Sequence, residues 1–432
     1  MDTGGVLRRQ YPSRQYMSNL FNQLPIIKEL RGLPRQFQLM FWGMLLSTIG
    51  ASMTWPFLMI YVKARTQLPL TQVASLLTLN ATTGLIAAFI AGPIIDRVGR
   101  KWVMVFSLVG NGLVYLALSQ ASTFPAFAVL LALSGCFNPL YRVGGDAMLA
   151  DLIPPAQRAD TYALLRLSNN VGVALGPTIG GLLTTISYSV AFIGAAVGMI
   201  SYGLLLAFFA VETLVHAAAQ KTETQARPAR LDMLLGGYGH VLRDRHFISF
   251  TIIFTLVQVC AVLMWVLMPV VAKENFGVVE SRYGLIPTTN ALMVVFLQVF
   301  VTLRSKRFPA LAVLTVGALF YAFGVGSVAF STGFWGFWIA MVVMTLGELL
   351  LMPTSSTYVA GLAPPDMRGR YMSIYGLTWS VASGIAPIAG GYLSDSIGPA
   401  AIWYAGLAAG LIGAAGFTWL KHTSARRAEQ TF

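Results

Sequence analysis

Twelve runs of about twenty apolar residues, each long enough to cross roughly 30 Å of hydrocarbon as a helix, leave this chain few shapes to adopt. The expected spans are Phe37–Val62, Val73–Ile95, Trp102–Leu118, Phe124–Leu149, Ala163–Ile186 and Val190–Val211. After a polar break come Phe247–Val271, Tyr283–Leu303, Pro309–Phe330, Phe334–Val359, Tyr371–Leu393 and Ala400–Leu420. In lipid a backbone must satisfy its own hydrogen bonds, and these runs are too long and too uniformly apolar for barrel strands, which alternate. The expected fold is an all-α integral membrane bundle of twelve transmembrane helices. With 56% hydrophobic and only 10% charged residues, the chain has too little polarity to cover a soluble globule.

Basic residues orient the bundle, because Lys and Arg are retained on the cytoplasmic side. With both ends inside, the cytoplasmic segments hold 23 of the 29 Lys and Arg, and the outer loops hold Lys63, Arg65, Lys273 and Arg282. The net charge of +13 is then mostly a topology signal plus attraction to anionic lipid, with no support for a nucleic-acid partner. The divisions expected are a cytoplasmic tail over 1–36, a six-helix bundle over 37–212, a cytoplasmic linker over 213–245, a second bundle over 246–421 and a tail over 422–432. Leu20 to Leu30 is expected to lie on the membrane surface. Cys136 and Cys260 fall in apolar runs and read as small buried hydrophobes.

The chain repeats itself. A shift of 210 residues aligns LIPPAQR from Leu152 with LAPPDMR from Leu362, and Pro177, Gly180 and Gly181 with Pro387, Gly390 and Gly391. Ten of the 32 positions from Leu152 to Leu183 are identical under it, which argues for duplication of a six-helix unit and for two pseudo-symmetric bundles facing a central cavity.

Two short segments stand out against the apolar background. GPIIDRVGRK, Gly92 to Lys101, crowds Asp96, Arg97, Arg100 and Lys101 into a tight turn between spans 2 and 3. There Asp96 is placed to cap the next helix and pair with a nearby Arg, an arrangement suited to a latch between the cytoplasmic ends of spans 2 and 11. In GVALGPTIGG, Gly172, Gly176 and Gly180 recur every fourth residue, so one stripe of span 5 lacks side chains and admits another helix closely, while Pro177 invites a kink.

These features resemble the major facilitator superfamily, and within it the twelve-helix drug:proton antiporters of multidrug efflux. The first segment is similar to the family's motif A at Gly92, Asp96, Arg97, Gly99, Arg100 and Lys101. The second is similar to its motif C at Gly172, Gly176, Pro177, Gly180 and Gly181, with Ala163 where a first glycine is usual. The resemblance implies that the glycine stripe lies where the two halves meet. The motif B arginine expected early in helix 4 is missing, Leu133 standing near its place.

Four ionisable residues fall inside the spans, where uncompensated charge is costly and function is the default reading. Glu348 lies near the middle of span 10, with no Lys, Arg or His inside any span of its half. It is the candidate proton carrier, and TLGELLLMP around it looks like helix 10 of multidrug members, in which a glutamate takes part in coupling. Arg142, Asp146 and Arg166 sit about 8, 13 and 13 Å from mid-membrane by helical rise. They are expected to form an Arg–Asp–Arg network that clamps the helices, receives an anionic group or helps move the proton of Glu348.

Further cavity candidates are Trp55, Asn80, Tyr141, Asn170, Trp265, Asn290, Gln298, Tyr375 and Trp379, a mixed wall suited to varied amphipathic molecules and poorly suited to a sugar. His216, His240, His246 and His422 show no metal-ligand spacing, and GPTIGG is not a nucleotide loop. The expected protein is not an enzyme and uses no metal or cofactor. It is a monomeric proton-coupled exporter of drug-like or lipophilic compounds in the bacterial cytoplasmic membrane, whose partners are small-molecule substrate, protons and lipid. A lipid, sugar or metabolite carrier, working as symporter or uniporter, shares the scaffold, and a non-transporting sensor or assembly factor is a further alternative.

Overall fold

A computed structural model describes residues 32–154, 157–214, 238–364 and 367–430. The segment Leu20–Leu30, nearly all of the expected first tail, most of the linker and the last two residues lie outside the described residues.

Among the described residues twelve long helices follow one another: α1 (Arg35–Thr66), α2 (Leu70–Val98), α3 (Arg100–Leu118), α4 (Phe124–Leu152), α5 (Arg158–Thr184) and α6 (Tyr188–Phe209). The second half has α7 (Arg245–Phe276), α8 (Glu280–Ser305), α9 (Ala310–Phe330), α10 (Phe334–Leu362), α11 (Arg368–Ser396) and α12 (Pro399–Gln430). A turn of 3₁₀ helix at Trp55–Phe57 interrupts α1 where Pro56 removes a backbone donor. Most helices overrun the apolar runs by a few residues, since polar first and last turns still satisfy their own backbone.

Ten of these helices are by length and composition apolar enough to cross a membrane. The remaining two, α5 and α11, carry Arg166, Asn169 and Asn170, and Arg368 and Arg370. Both pack against the opposite half, α5 against α8 and α11 against α2. These two seams are equivalent under the 210-residue shift. The chain is thus a multi-pass membrane protein of two related six-helix halves.

The seams make the same contacts twice. Thr78 of α2 donates its hydroxyl hydrogen to the carbonyl of Gly384 on α11 at 2.6 Å, and Thr288 of α8, its equivalent in the repeat, donates to the carbonyl of Ala174 on α5 at 2.7 Å. Since Thr288 has spent its hydrogen, Thr178 must be the donor in the 2.8 Å bond between those two hydroxyls. Closer to the helix ends, a Cβ on Gly181 would come within 3.0 Å of Cα of Ser281, and one on Gly391 within 2.8 Å of Cα of Thr71.

Call the end with the α1–α2, α7–α8 and α11–α12 turns the far end, and the opposite one the near end. The far end is tied. Lys63 and Glu274 form an ion pair at 2.5 Å between α1 and α7. The Asp395 carboxylate of α11 accepts hydrogen bonds from the amides of Leu70 and Thr71, at 3.1 and 2.7 Å, and from the Thr71 hydroxyl at 2.6 Å, capping α2 from the other half. The Tyr188 hydroxyl donates to Glu280, which also pairs with Lys273 at 2.9 Å. Towards the near end the same α2–α11 seam parts: a Cβ on Gly92, Gly369 or Gly376 would meet nothing within 4 Å among the described residues.

Candidate functional site: the cavity between the halves

Between the halves lies a cavity of about 1090 Å³, walled mainly by α1, α2, α3, α4 and α5 on one side and by α7, α8, α10 and α11 on the other, with Met199 of α6 and Tyr321 of α9 also reaching it. Of the residues singled out in the sequence, Trp55, Asn80, Tyr141, Arg142, Asn170, Pro177, Trp265, Asn290, Glu348 and Trp379 line it. Two of the aromatic candidates, Trp55 and Trp379, are 45% and 47% exposed, so they present ring faces instead of packing in the core.

Glu348 is half-buried on the wall from α10. Asn290 of α8 donates one amide hydrogen to Glu348 Oε2 at 2.7 Å and the other to Thr345 Oγ1 at 2.9 Å. The Thr345 hydroxyl hydrogen is directed at the Met341 carbonyl at 2.7 Å, which leaves its oxygen free to accept. Asn290 therefore holds the carboxyl in a fixed orientation, and the positive charge of Arg166 acts on it from the other half.

The expected Arg142–Asp146–Arg166 network is not formed. No ion pair within 4 Å joins these side chains among the described residues, and all three are exposed. Exposed charges are already hydrated, so pairing them gains little. Arg142 alone of the three lines the cavity.

Two cavity candidates face elsewhere. The Gln298 amide donates to Leu349 O and Thr302 Oγ1, each at 3.0 Å, tying α8 to α10. Tyr375 shares a 2.8 Å hydrogen bond with Ser355 and rests its ring on Phe254 at 5.3 Å, within the second half. Both helices line the cavity, but helical rotation turns these two positions off it.

The glycine stripe of α5 is also differently employed. Cβ atoms on Gly172, Gly176 and Gly180 would meet Thr48, Ser52 and the Met53 backbone of α1 at 2.0–2.7 Å, so the stripe packs within its own half. Pro177 and Gly181, on the neighbouring face, meet α8: a Cβ on Gly284 would lie 2.3 Å from the Pro177 carbonyl oxygen.

At the near end, Asp96 pairs with Arg100 at 3.3 Å and stays 72% exposed. It does not cap α3. The Arg100 and Lys101 amides instead donate to Glu212, beyond α6, at 3.0 and 3.1 Å, while Arg100 Nε reaches Asp151 of α4 at 3.1 Å. Gly99 turns the chain at φ +106°, where a Cβ would lie 2.4 Å from Glu212. Arg97 is exposed, and Lys101 sits 4.9 Å over the Trp102 ring. Among the described residues no ion pair joins Asp96 to α11, in keeping with the parted seam.

Sequence reasoning missed the polar patch where α3 meets α4. Asn111 donates to Asn138 at 3.3 Å, and Ser107 and Asn111, buried at 1% and 5% exposure, have polar atoms without a hydrogen-bond partner among the described residues. The repeat held a signal: Asn138 is the position equivalent to Glu348.

The chain is 29% identical over 359 residues, 78% of this chain and 84% of the relative, to a Na(+), Li(+), K(+)/H(+) antiporter of Planococcus maritimus. It is 24% identical over 336 residues, 76% and 80% of the two chains, to the multidrug resistance protein MdtH of Yersinia pestis. Among solved structures, the nucleoside transporter NupG superposes with a TM-score of 0.72 at 12% identity, over 90% of this chain and 99% of that one. A POT family transporter in complex with 5-aminolevulinic acid superposes with a TM-score of 0.74 at 15% identity, over 92% and 99%. These structural likenesses concern the fold. The Major Facilitator Superfamily profile matches residues 40–271 and 251–431, spanning both halves. Two homologous six-helix halves around one cavity, and that profile across them, make this chain a member of the Major Facilitator Superfamily.

Proposed function

We propose that this transporter exports lipophilic or amphipathic compounds in exchange for protons, from a bacterial cytoplasmic membrane with both termini inside. The near end is then cytoplasmic, and the tied far end and parted near end correspond to a state that loads from the cytoplasm. The observation that carries the reading is Glu348: a carboxyl on the cavity wall, oriented by Asn290 and within reach of the charge of Arg166. Charge buried in a membrane protein is retained where it works, and an acid that faces substrate and can take a proton couples the two. The Trp, Met and Tyr surfaces on the same wall suit bodies of varied shape.

The Planococcus relative favours a second reading, exchange of monovalent metal cations for protons. One carboxylate and its amide neighbour offer few oxygen ligands for a bare cation, and the wide aromatic wall would be idle, so the organic substrate ranks first.

Purified protein in proteoliposomes tests both readings. An imposed pH gradient should drive accumulation of a lipophilic dye, and Glu348→Gln should abolish that drive while the dye still binds. Unchanged gradient-driven transport in the variant would overturn the proton role. Dissipation of the gradient by added Na+ or K+, without effect of any organic compound, would establish the second reading instead.

A further inference from the structure

Among the described residues lining the cavity, two carry a full charge, Arg142 and Glu348, and they are opposite in sign. They also stand on opposite halves. Glu348 occupies the same register in α10 as Asn138 does in α4, and Arg142 lies one turn further on, about 6 Å towards the near end by helical rise. The guanidinium has no ion pair among the described residues. On the α3–α4 wall of the same cavity the Ser107 hydroxyl and the Asn111 carbonyl oxygen are buried without a hydrogen-bond partner among the described residues, and Asn138, one turn before Arg142, shares its helix face. A buried polar atom left unpaired is costly unless something visits it. Facing this patch, the second half presents Trp265, Met352, Met372 and Trp379, an apolar and aromatic surface.

We propose that the cavity selects a zwitterionic amphiphile with spaced charges, its anionic oxygen group held by Arg142 and its cationic nitrogen by Glu348, with an aromatic body between them. This rests on the reading of Glu348 as an acid that can exchange its proton. It deepens that reading, because a cationic nitrogen and a proton then compete for one carboxylate, and such competition is what exchange requires. Two further charges lie outside the lining, Asp146 one turn from Arg142 on α4 and Arg166 on α5, and neither pairs with a lining charge within 4 Å among the described residues, so a singly charged cation would leave Arg142 without an ion-pair partner and a singly charged anion would leave Glu348 without one.

The test is equilibrium dialysis of the full-length protein in nanodiscs, corrected with empty nanodiscs and run without a proton gradient. Three probes share one biphenyl body: one with a carboxylate and an aminomethyl group at opposite ends, one with the carboxylate alone and one with the aminomethyl group alone. The wild-type protein should bind the doubly charged probe about tenfold or more tightly than either relative. Arg142→Gln should erase its advantage over the aminomethyl probe, and Glu348→Gln its advantage over the carboxylate probe. Lowering the pH should shrink the second advantage as protons claim the carboxylate. Equal binding of the doubly charged probe and either relative, no saturable binding of any of them, or an unchanged preference in Arg142→Gln would overturn the proposal. The wild-type comparison needs no variant to fold. Because no gradient is present, an uncoupled transporter would still show the preference, and a coupled one with another substrate would not.

Discussion

The hydroxyl of Thr78 is bonded to the carbonyl oxygen of Gly384 across the boundary between the halves at 2.6 Å, part-way along both helices. Its repeat partner, Thr288 on Ala174, is the matching bond on the other side of the cavity. Hydrogen bonds between membrane helices are worth about 0.6 kcal/mol on average, so one is modest and a pair is a preference for a particular axis of contact. Thr78→Val and Thr288→Val keep the shape and remove the bond. Each alone should slow transport by no more than about threefold, the rate equivalent of that energy. The double variant should lose more than the product of the two, which a rate measurement in proteoliposomes reads directly.

At Gly391 the α2–α11 seam is tight near the far end, where a Cβ would lie 2.8 Å from Cα of Thr71. A side chain there meets main chain and cannot be accommodated by a rotamer change. Gly391→Leu should therefore disfavour the state with a tied far end. In a protein with Cys136 and Cys260 replaced by alanine, a cysteine at Trp55 should be labelled from the far side about fivefold faster or more when Gly391→Leu is added. Equal labelling rates would show that this contact does not seal the far end.

Gly92 and Gly369 give the opposite case. A Cβ at either position meets no described atom within 4 Å, so Gly92→Phe should leave thermal stability within about 0.5 kcal/mol of the original, as surface changes usually do. If the near end closes during transport, the same side chain becomes a wedge and turnover should stop. A Gly92→Cys, Gly369→Cys pair should cross-link during cycling and lock the protein. Full activity in Gly92→Phe would count against closure along this seam.

Much of this architecture is legible in the chain because lipid allows so little. A backbone that must bond to itself gives helices, and the 210-residue repeat gives two halves of them. Glu348 is legible for a related reason, since an acid in the middle of an apolar run is there at a cost. What could not be read is which way each helix is turned. At about 100° per residue, a net turn of about 80° separates Asn290, which orients Glu348, from Gln298, which ties α8 to α10 off the cavity. The same holds for the glycine stripe, where Gly180 meets α1 and its neighbour Gly181 meets α8. Arg142, Asp146 and Arg166 read as a buried network only if the helices around them are sealed, and here those side chains are exposed. Capping groups such as Glu212 on α3 and Asp395 on α2 come from segments 111 and 324 residues away, beyond the reach of local spacing.

Two pins fix a line. With one threonine bond on each side of the cavity, the motion they leave free is a swing about the axle that joins them, and travel grows with lever arm. Gly92, 14 residues along the helix from Thr78, stands about 21 Å out and sweeps widely. A group placed close to the axle would hardly move, and could be offered first to one side of the membrane and then to the other while standing nearly still.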